Sequence, residues 1–371
     1  MKFVIATSEL QAVLAKLQNV VSQKAAIPIL SNILVEACHD ELVITATDLM
    51  VGVRCFCEAK IIEEGATTLP AKRFAQLVRE LTTQTLEVST GENEVTEVTA
   101  GSSKFKVHGM SRTEFPSLPD LEGAHQIHLS QEALKEVFFR TSFAVSREDN
   151  RYVLTGVFMH IANGQATFVG TDGKRLAKTR LNAQVDPKLK GEYIIPLKAV
   201  DEIHKCLEES GDATLYLMKD KIAVEANDAI IITKLLSGEY PDINRVIPTS
   251  QQTELSLHRE ELMTLLRQVS LFTSDTNQSV RFTFESGELK ISANTMEVGE
   301  GKVSMPVNYQ GDKIDIAFNP GFFLDILRHS REETISMGLT DAFNPGTITE
   351  SASEGAAKPL FVIMPMRLNE S

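Results

Sequence analysis

The sequence predicts an α+β fold built from three repeated units, each with two helices packed on one side of antiparallel sheet. Three observations predict it. First, a strand that runs into a proline and then a helical pattern occurs three times. Gly65-Ala-Thr-Thr-Leu-Pro70 leads to Phe74, Leu77 and Val78; Gly191-Glu-Tyr-Ile-Ile-Pro196 leads to Val200, Ile203 and Leu207; Asp315-Ile-Ala-Phe-Asn-Pro320 leads to Leu324 and Leu327. Second, two further landmarks keep the same phase of about 124 residues. Thr45-Ala-Thr-Asp48, Val169-Gly-Thr-Asp172 and Ile291-Ser-Ala-Asn294 end short β-rich runs, and Phe115-Pro116, Tyr240-Pro241 and Met364-Pro365 close each unit. Third, the runs between these landmarks alternate apolar and polar residues, as strands with one wet face do, which favours antiparallel sheet.

In chain order, Met1–Ala6 reads as a strand, because its apolar run breaks at Thr7-Ser8-Glu9, too soon for a signal peptide. A helix follows, with Leu10, Val13, Leu14 and Leu17 at i, i+3, i+4 and i+7, and Ser8 and Gln11 at capping-box spacing. Leu42–Thr47 and Val95–Thr99 alternate as strands on either side of the Pro70 helix. Proline suits a first helical turn, where its fixed φ fits and its missing N–H costs nothing. In the second unit Ser130 is placed to cap a helix carrying Leu134, Val137 and Phe138, and Thr214–Leu217 and Ile222–Glu225 alternate. The third unit has Leu262, Leu265, Leu266 and Val269 on one helical face and an alternating run at Glu288–Ser292. Polar, turn-rich linkers at Pro119–Gln126 and Val246–Thr253 then divide the chain into domains 1–122, 123–250 and 251–371.

The 371 residues are 43% hydrophobic and 23% charged, an ordinary globular composition able to bury several cores. The net charge of −13 argues against a protein that binds nucleic acid over its whole surface, but not against a locally basic channel. Cys38, Cys55, Cys57 and Cys206 have no C-x-x-C spacing, so no metal is expected, and reduced thiols point to the cytoplasm. No apolar run approaches a membrane span. Enzyme signatures are absent. Gly170-Thr-Asp-Gly-Lys174 lacks phosphate-loop spacing, no G-x-S-x-G elbow occurs, and His125 and His128 fall in a linker and strand without a partner glutamate helix. No catalytic residue and no cofactor is therefore expected.

Repeats of this size suit a closed ring better than a solenoid. A dimer would bring six units together, and twelve inward-facing helices would line a circle roughly 38 Å across with a bore of roughly 28 Å, wide enough for a duplex. The charge distribution agrees: the six helical segments carry a net +2, which leaves −15 for the remainder. Lys24, Lys72, Arg73, Arg79, Arg140, Lys198, Lys205, Arg267, Arg328 and Arg331 are the candidate basic side chains for facing a duplex. A scaffold that presents peptide pockets without admitting DNA is the rival reading on charge alone.

The series Met1-Lys-Phe3, Pro28-Ile-Leu-Ser-Asn32, Thr47-Asp48, Gly65-Ala-Thr-Thr68, Thr171-Asp-Gly-Lys-Arg-Leu176, Tyr240-Pro241, Arg245-Val246 and Val362-Ile-Met-Pro-Met-Arg-Leu368 resembles the bacterial DNA polymerase III β subunit (sliding clamp) family over the whole chain. The resemblance implies three clamp-fold domains per subunit and a head-to-tail homodimer closed as a six-domain ring around duplex DNA. It implies a non-catalytic processivity factor that tethers the DNA polymerase III α subunit and is opened by an ATP-dependent clamp loader. It further implies one pocket per subunit for short, usually glutamine-led peptides of other polymerases, mismatch-repair proteins and ligase. By matching motif, that pocket comprises Leu154, Thr171, Gly173, Lys174, Arg175, Leu176, Pro241, Val246, Val362, Met364, Pro365, Met366 and Arg367, with the arginines offering polar partners. Lys174 stands where relatives often have histidine. The dimer interface carries over to Phe105 and Val107 against Leu271 and Phe272, with Arg73 and Glu297 or Glu300 at the rim. DNA contact carries over to Lys24 and Arg147, whereas the adjacent Glu148 departs from the amide of some relatives.

Overall fold

The computed structural model describes residues 1–21, 26–39, 41–274, 278–350 and 358–367, with the backbone alone at Asp149. Among these, six α-helices are spaced as the repeats require: α1 Thr7–Leu17, α2 Ala71–Glu80, α3 Gln131–Thr141, α4 Leu197–Cys206, α5 Arg259–Ser270 and α6 Pro320–Arg328. The strands around them are antiparallel throughout the paired registers. Each helix buries the stripe its periodicity marks. In α1 this is Leu10, Val13, Leu14 and Leu17; in α5 it is Leu262, Met263, Leu266 and Val269, while Leu265 lies at the edge of the core.

Several helix ends differ from expectation. α1 stops at Leu17, and no capping box forms at its start. Gln11 instead donates from Nε2 to the Val78 carbonyl of α2 at 2.9 Å, so a tertiary partner outcompetes the local cap. Ser130 does accept from the Ala133 N–H at 3.2 Å. Pro320 is the first residue of α6, whereas Pro70 and Pro196 precede α2 and α4 as their caps. In the third repeat Asn294 does not end its strand, which runs on to Thr295.

The chain forms two compact units, Met1–Lys135 with Ile195–Leu235, and Glu136–Ile194 with Leu236–Ser371. Hydrogen-bonded sheet continuity explains this division. In the first unit Val51–Glu58 of the first repeat pairs with Ala229–Lys234 of the second, which makes one eight-stranded sheet running from His125–Ser130 to Gly65–Pro70. In the second unit Arg175–Arg180 pairs with Leu360–Ile363, and another eight-stranded sheet runs from Gly191–Pro196 to Thr253–His258. The first unit also has a five-stranded sheet whose last strand is Ser103–His108, and the second a four-stranded sheet whose outer strand is Gly299–Pro306. The core of the second unit centres on Phe282, Phe318 and Phe323, whose rings pack 5.2 to 5.7 Å apart.

Candidate functional site

In the second unit, the turn between strands Gln165–Thr171 and Arg175–Arg180 is built from its own side chains. Thr171 Oγ1 donates to the Arg175 carbonyl at 2.5 Å and accepts from Gly173 N–H at 3.1 Å. Asp172 Oδ1 accepts from the N–H groups of Lys174 at 2.9 Å and Arg175 at 3.0 Å. This is an Asx turn, and it places Gly173 at φ +84°, where a residue without Cβ is at ease. A Cβ there would also lie 2.2 Å from Arg151 Nη1, which donates across the turn to the Asp172 carbonyl at 3.2 Å.

Beneath the turn, Tyr240 stacks on Phe158 with ring centroids 4.4 Å apart and planes 4° from parallel. Burial pushes the Tyr240 phenol up, so it stays protonated. Leu154, Leu176 and Val362 join the two rings in one apolar cluster. The last strand is tied in where Met364 N–H donates to the Lys174 carbonyl at 2.9 Å, and Met366 N–H donates to the Ala317 carbonyl at 2.7 Å.

These elements enclose a cavity of about 220 Å³. Leu154, Thr171, Gly173, Arg175, Leu176, Pro241, Val246, Val362 and Met364 line it, so nine of the thirteen expected residues meet at one place. Lys174, Pro365, Met366 and Arg367 do not line it, although Lys174 and Pro365 are chain neighbours of residues that do. Arg151, Asp242 and Ile243 also line the cavity and were not anticipated. Ile243 was within reach, because it lies two residues after the Tyr240-Pro241 landmark. Arg151 was not, because only folding brings it over Gly173. Val246 and Met364, 42% and 38% exposed, leave apolar surface open at the mouth.

Arg175 is tied into the wall of the cavity. Its Nε donates to Asp172 Oδ2 at 3.2 Å, Nη1 to Asp325 Oδ2 at 2.7 Å and Nη2 to the Phe143 carbonyl at 3.0 Å. Its guanidinium also lies over the rings of Phe322 at 4.7 Å and Phe143 at 5.4 Å. With three of its five N–H donors engaged, Arg175 braces the wall while it lines the cavity. Arg151 also lines the cavity, and Lys174 in the turn and Arg367 three residues after Met364 are exposed.

Charge on the helices is less available than the sequence suggests. Arg140 is buried, and donates to Glu136 at 2.6 Å, to Glu350 at 2.8 Å and to the His329 carbonyl at 2.6 Å. Burial alone would raise the Glu136 carboxyl, but Arg331 and Arg140 hold it below its ordinary range. Lys198 pairs with Asp48, Lys205 with Glu202 and Arg328 with Asp325. Lys72, Arg73, Arg79 and Arg267 are exposed and have no carboxylate partner among the described residues. Arg147 is exposed in a loop braced by Ser146, whose hydroxyl accepts from Glu148 N–H at 3.2 Å; Lys24 lies outside the described residues.

Phe105 and Val107 lie on the outer strand of the five-stranded sheet, where Val107 is buried within its own unit and Phe105 is half-buried. In the second unit Leu271 is 73% exposed, and Phe272 packs over Gly301 of the outer strand Gly299–Pro306. Glu297 is exposed, and Glu300 pairs with Lys302 at 2.6 Å.

Comparison with known proteins bears on the whole length. The N-terminal, central and C-terminal domain models of the DNA polymerase III beta subunit match residues 1–119, 128–242 and 244–367 in order. The chain belongs to the DNA polymerase III beta subunit family. The beta sliding clamp of Chlamydia pneumoniae is 54% identical over 370 residues, covering 100% of both chains. The beta sliding clamp of Proteus mirabilis is 30% identical, covering 99% of this chain and 100% of its own. Among solved structures, the DNA polymerase sliding clamp of Bacillus subtilis superposes with a TM-score of 0.94 at 25% identity, over 100% of both chains. A sliding clamp from Bartonella birtlesii bound to griselimycin superposes with a TM-score of 0.93 at 30% identity, over 99% of this chain and 100% of that one. The three repeats are thus three clamp domains of this family.

Proposed function

We propose that the chain is a DNA sliding clamp: a head-to-tail homodimer that encircles duplex DNA, tethers the replicative polymerase and recruits other proteins through the cleft in its second unit. The observation that carries this reading is the unbroken succession of three DNA polymerase III beta domains over the whole chain, together with a mostly apolar cleft lined by nine of the residues expected there. We divide the chain into domains 1–122, 123–250 and 251–371. The cleft suits peptide docking because apolar walls with an adaptable methionine at the mouth seat bulky side chains, while the turn backbone orients the peptide. Nothing in that task needs bond chemistry, so we read the protein as non-catalytic. The partners are the DNA polymerase III α subunit, an ATP-dependent clamp loader, other polymerases, mismatch-repair proteins and ligase, all in the cytoplasm.

For closure, we place Ser103–His108 of one subunit against Gly299–Pro306 of its partner, so that two outer strands satisfy each other's free backbone groups. Phe105 and Val107 would face Leu271 and Phe272, with Arg73 and Glu297 or Glu300 at the rim. Lys24 and Arg147 would meet the duplex. Topology supplies the test. Dimer loaded on nicked circular DNA by a clamp loader should stay bound through gel filtration and be lost when the circle is linearised. Equal loss from circle and line would reject the ring. Deleting Met364–Ser371 should abolish binding of a glutamine-led peptide ending in Leu-Phe while the dimer persists by light scattering.

A further inference from the structure

The first unit contains the same turn 124 residues earlier. Thr47 Oγ1 donates to the Val51 carbonyl at 3.0 Å and accepts from Leu49 N–H at 3.0 Å. Asp48 Oδ1 accepts from the N–H groups of Met50 at 2.9 Å and Val51 at 2.7 Å. Leu49 sits at φ +75°, as Gly173 does at +84°. A neighbouring strand ties in identically, with Lys234 N–H donating to the Met50 carbonyl at 2.9 Å. The floor repeats as well. Ile29, Leu30 and Phe115 cluster with Leu34 as Val153, Leu154 and Tyr240 cluster with Phe158.

One element differs. The counterpart of Leu176, the floor residue of the open cleft, is Gly52, and the counterpart of the wall residue Ile243 is Leu118. Leu118 lies directly on Gly52, with its Cδ2 only 2.4 Å from where a Cβ would stand and its Cδ1 3.2 Å away. With no floor side chain, the wall residue has dropped onto the strand and filled the seat. Leu49 and Met50, 43% and 39% exposed, remain as apolar surface beside it.

We propose that the first unit carries a second, self-occupied copy of the peptide cleft, held shut by the packing of Leu118 on Gly52, and that displacing Leu118 opens a site for the same class of apolar-anchored peptide. The proposal rests on the peptide-binding reading of the open cleft, and it accounts for one docking site per chain in a fold that builds the frame twice. Two variants test it by opposite means. Leu118→Ala removes the plug; Gly52→Ala adds a Cβ that only the flexible end of Leu118 must yield to, so both are expected to fold. Titration calorimetry with a glutamine-led peptide ending in Leu-Phe should give one site per chain in the wild type and two in each variant. Adding Leu154→Arg, which blocks the open cleft, should leave each variant with one site. A stoichiometry of one in both single variants, with wild-type affinity and unchanged circular dichroism, overturns the proposal and leaves the cleft reading intact. No binding to the wild type with one site in each variant would sink the cleft reading instead.

Discussion

At Thr47–Gly52 and at Thr171–Leu176 the chain makes the same Asx turn with the same four hydrogen bonds, yet one turn overlooks a cavity of about 220 Å³ and the other a filled seat. The two turns differ at four positions: Leu49 against Gly173, Met50 against Lys174, Val51 against Arg175, and Gly52 against Leu176. The frame is local, made by a threonine and an aspartate that satisfy nearby backbone. Whether it becomes a site depends on neighbours that arrive from distant sequence. Arg175 holds the wall outward by reaching Asp325 and Phe143, whereas Val51, 1% exposed, sinks into the core and demands nothing.

The largest effect expected from this contrast is at Arg175. Arg175→Ala leaves Asp172 and Asp325 without their shared partner and removes two ring contacts, so a loss of about 3 kcal/mol is expected in urea unfolding, together with the peptide site. Arg175→Lys should not rescue it, because an ammonium cannot serve three directions and two rings at once. Val51→Ala in the first turn should cost only the lost methyls, about 2 kcal/mol. Equal losses at the two positions would show that the arginine does not brace the wall.

Exchanging the residues at the left-handed position comes next. Gly173→Leu imposes a backbone cost of about 1–2 kcal/mol and drives Arg151 off the turn. Peptide affinity measured by fluorescence anisotropy should fall at least tenfold. Leu49→Gly relieves the same cost in the first turn, offset in part by glycine's chain entropy, and should leave stability unchanged or raise it by up to about 1 kcal/mol. A clear loss of stability in Leu49→Gly would mean that its exposed side chain is held by packing.

The smallest effect is a matter of pH. Burial would raise the Asp48 carboxyl, but Lys198 and the turn N–H groups of Val51 and Met50 outweigh it and hold the group below its ordinary range. A carboxylate whose folded pKa is depressed adds stability that is complete above its unfolded value of about 3.9 and is lost as the pH falls through the folded value. Asp48→Asn should therefore melt below wild type at pH 7, and the gap should narrow below about pH 4. A gap that does not change with pH would assign the effect to hydrogen bonding alone.

Much of the fold was legible because each repeat writes the same local instructions. The Pro70, Pro196 and Pro320 landmarks mark three helix starts, and the buried stripes of α1 and α5 follow their spacing. Ser8 and Gln11 were misleading: capping-box spacing is a local signal, and the Val78 carbonyl, 67 residues away from Gln11, was the better acceptor. Arg140 likewise looks like any helix-surface cation until Glu350, 210 residues away, closes over it.

The sequence by itself determined the threefold period and the α+β pattern, since periodicity and turn chemistry act over a few residues and survive as readable spacing, while its resemblance to a known family supplied nine residues of the cleft. Only the tertiary structure decided that two repeats share each eight-stranded sheet, that Arg175 is a brace, and that Leu118 shuts one copy of the frame while the other stays open. Those outcomes depend on which distant side chain fills a given volume or satisfies a given charge. That is a competition among partners brought together by folding, and no spacing along the chain records its result.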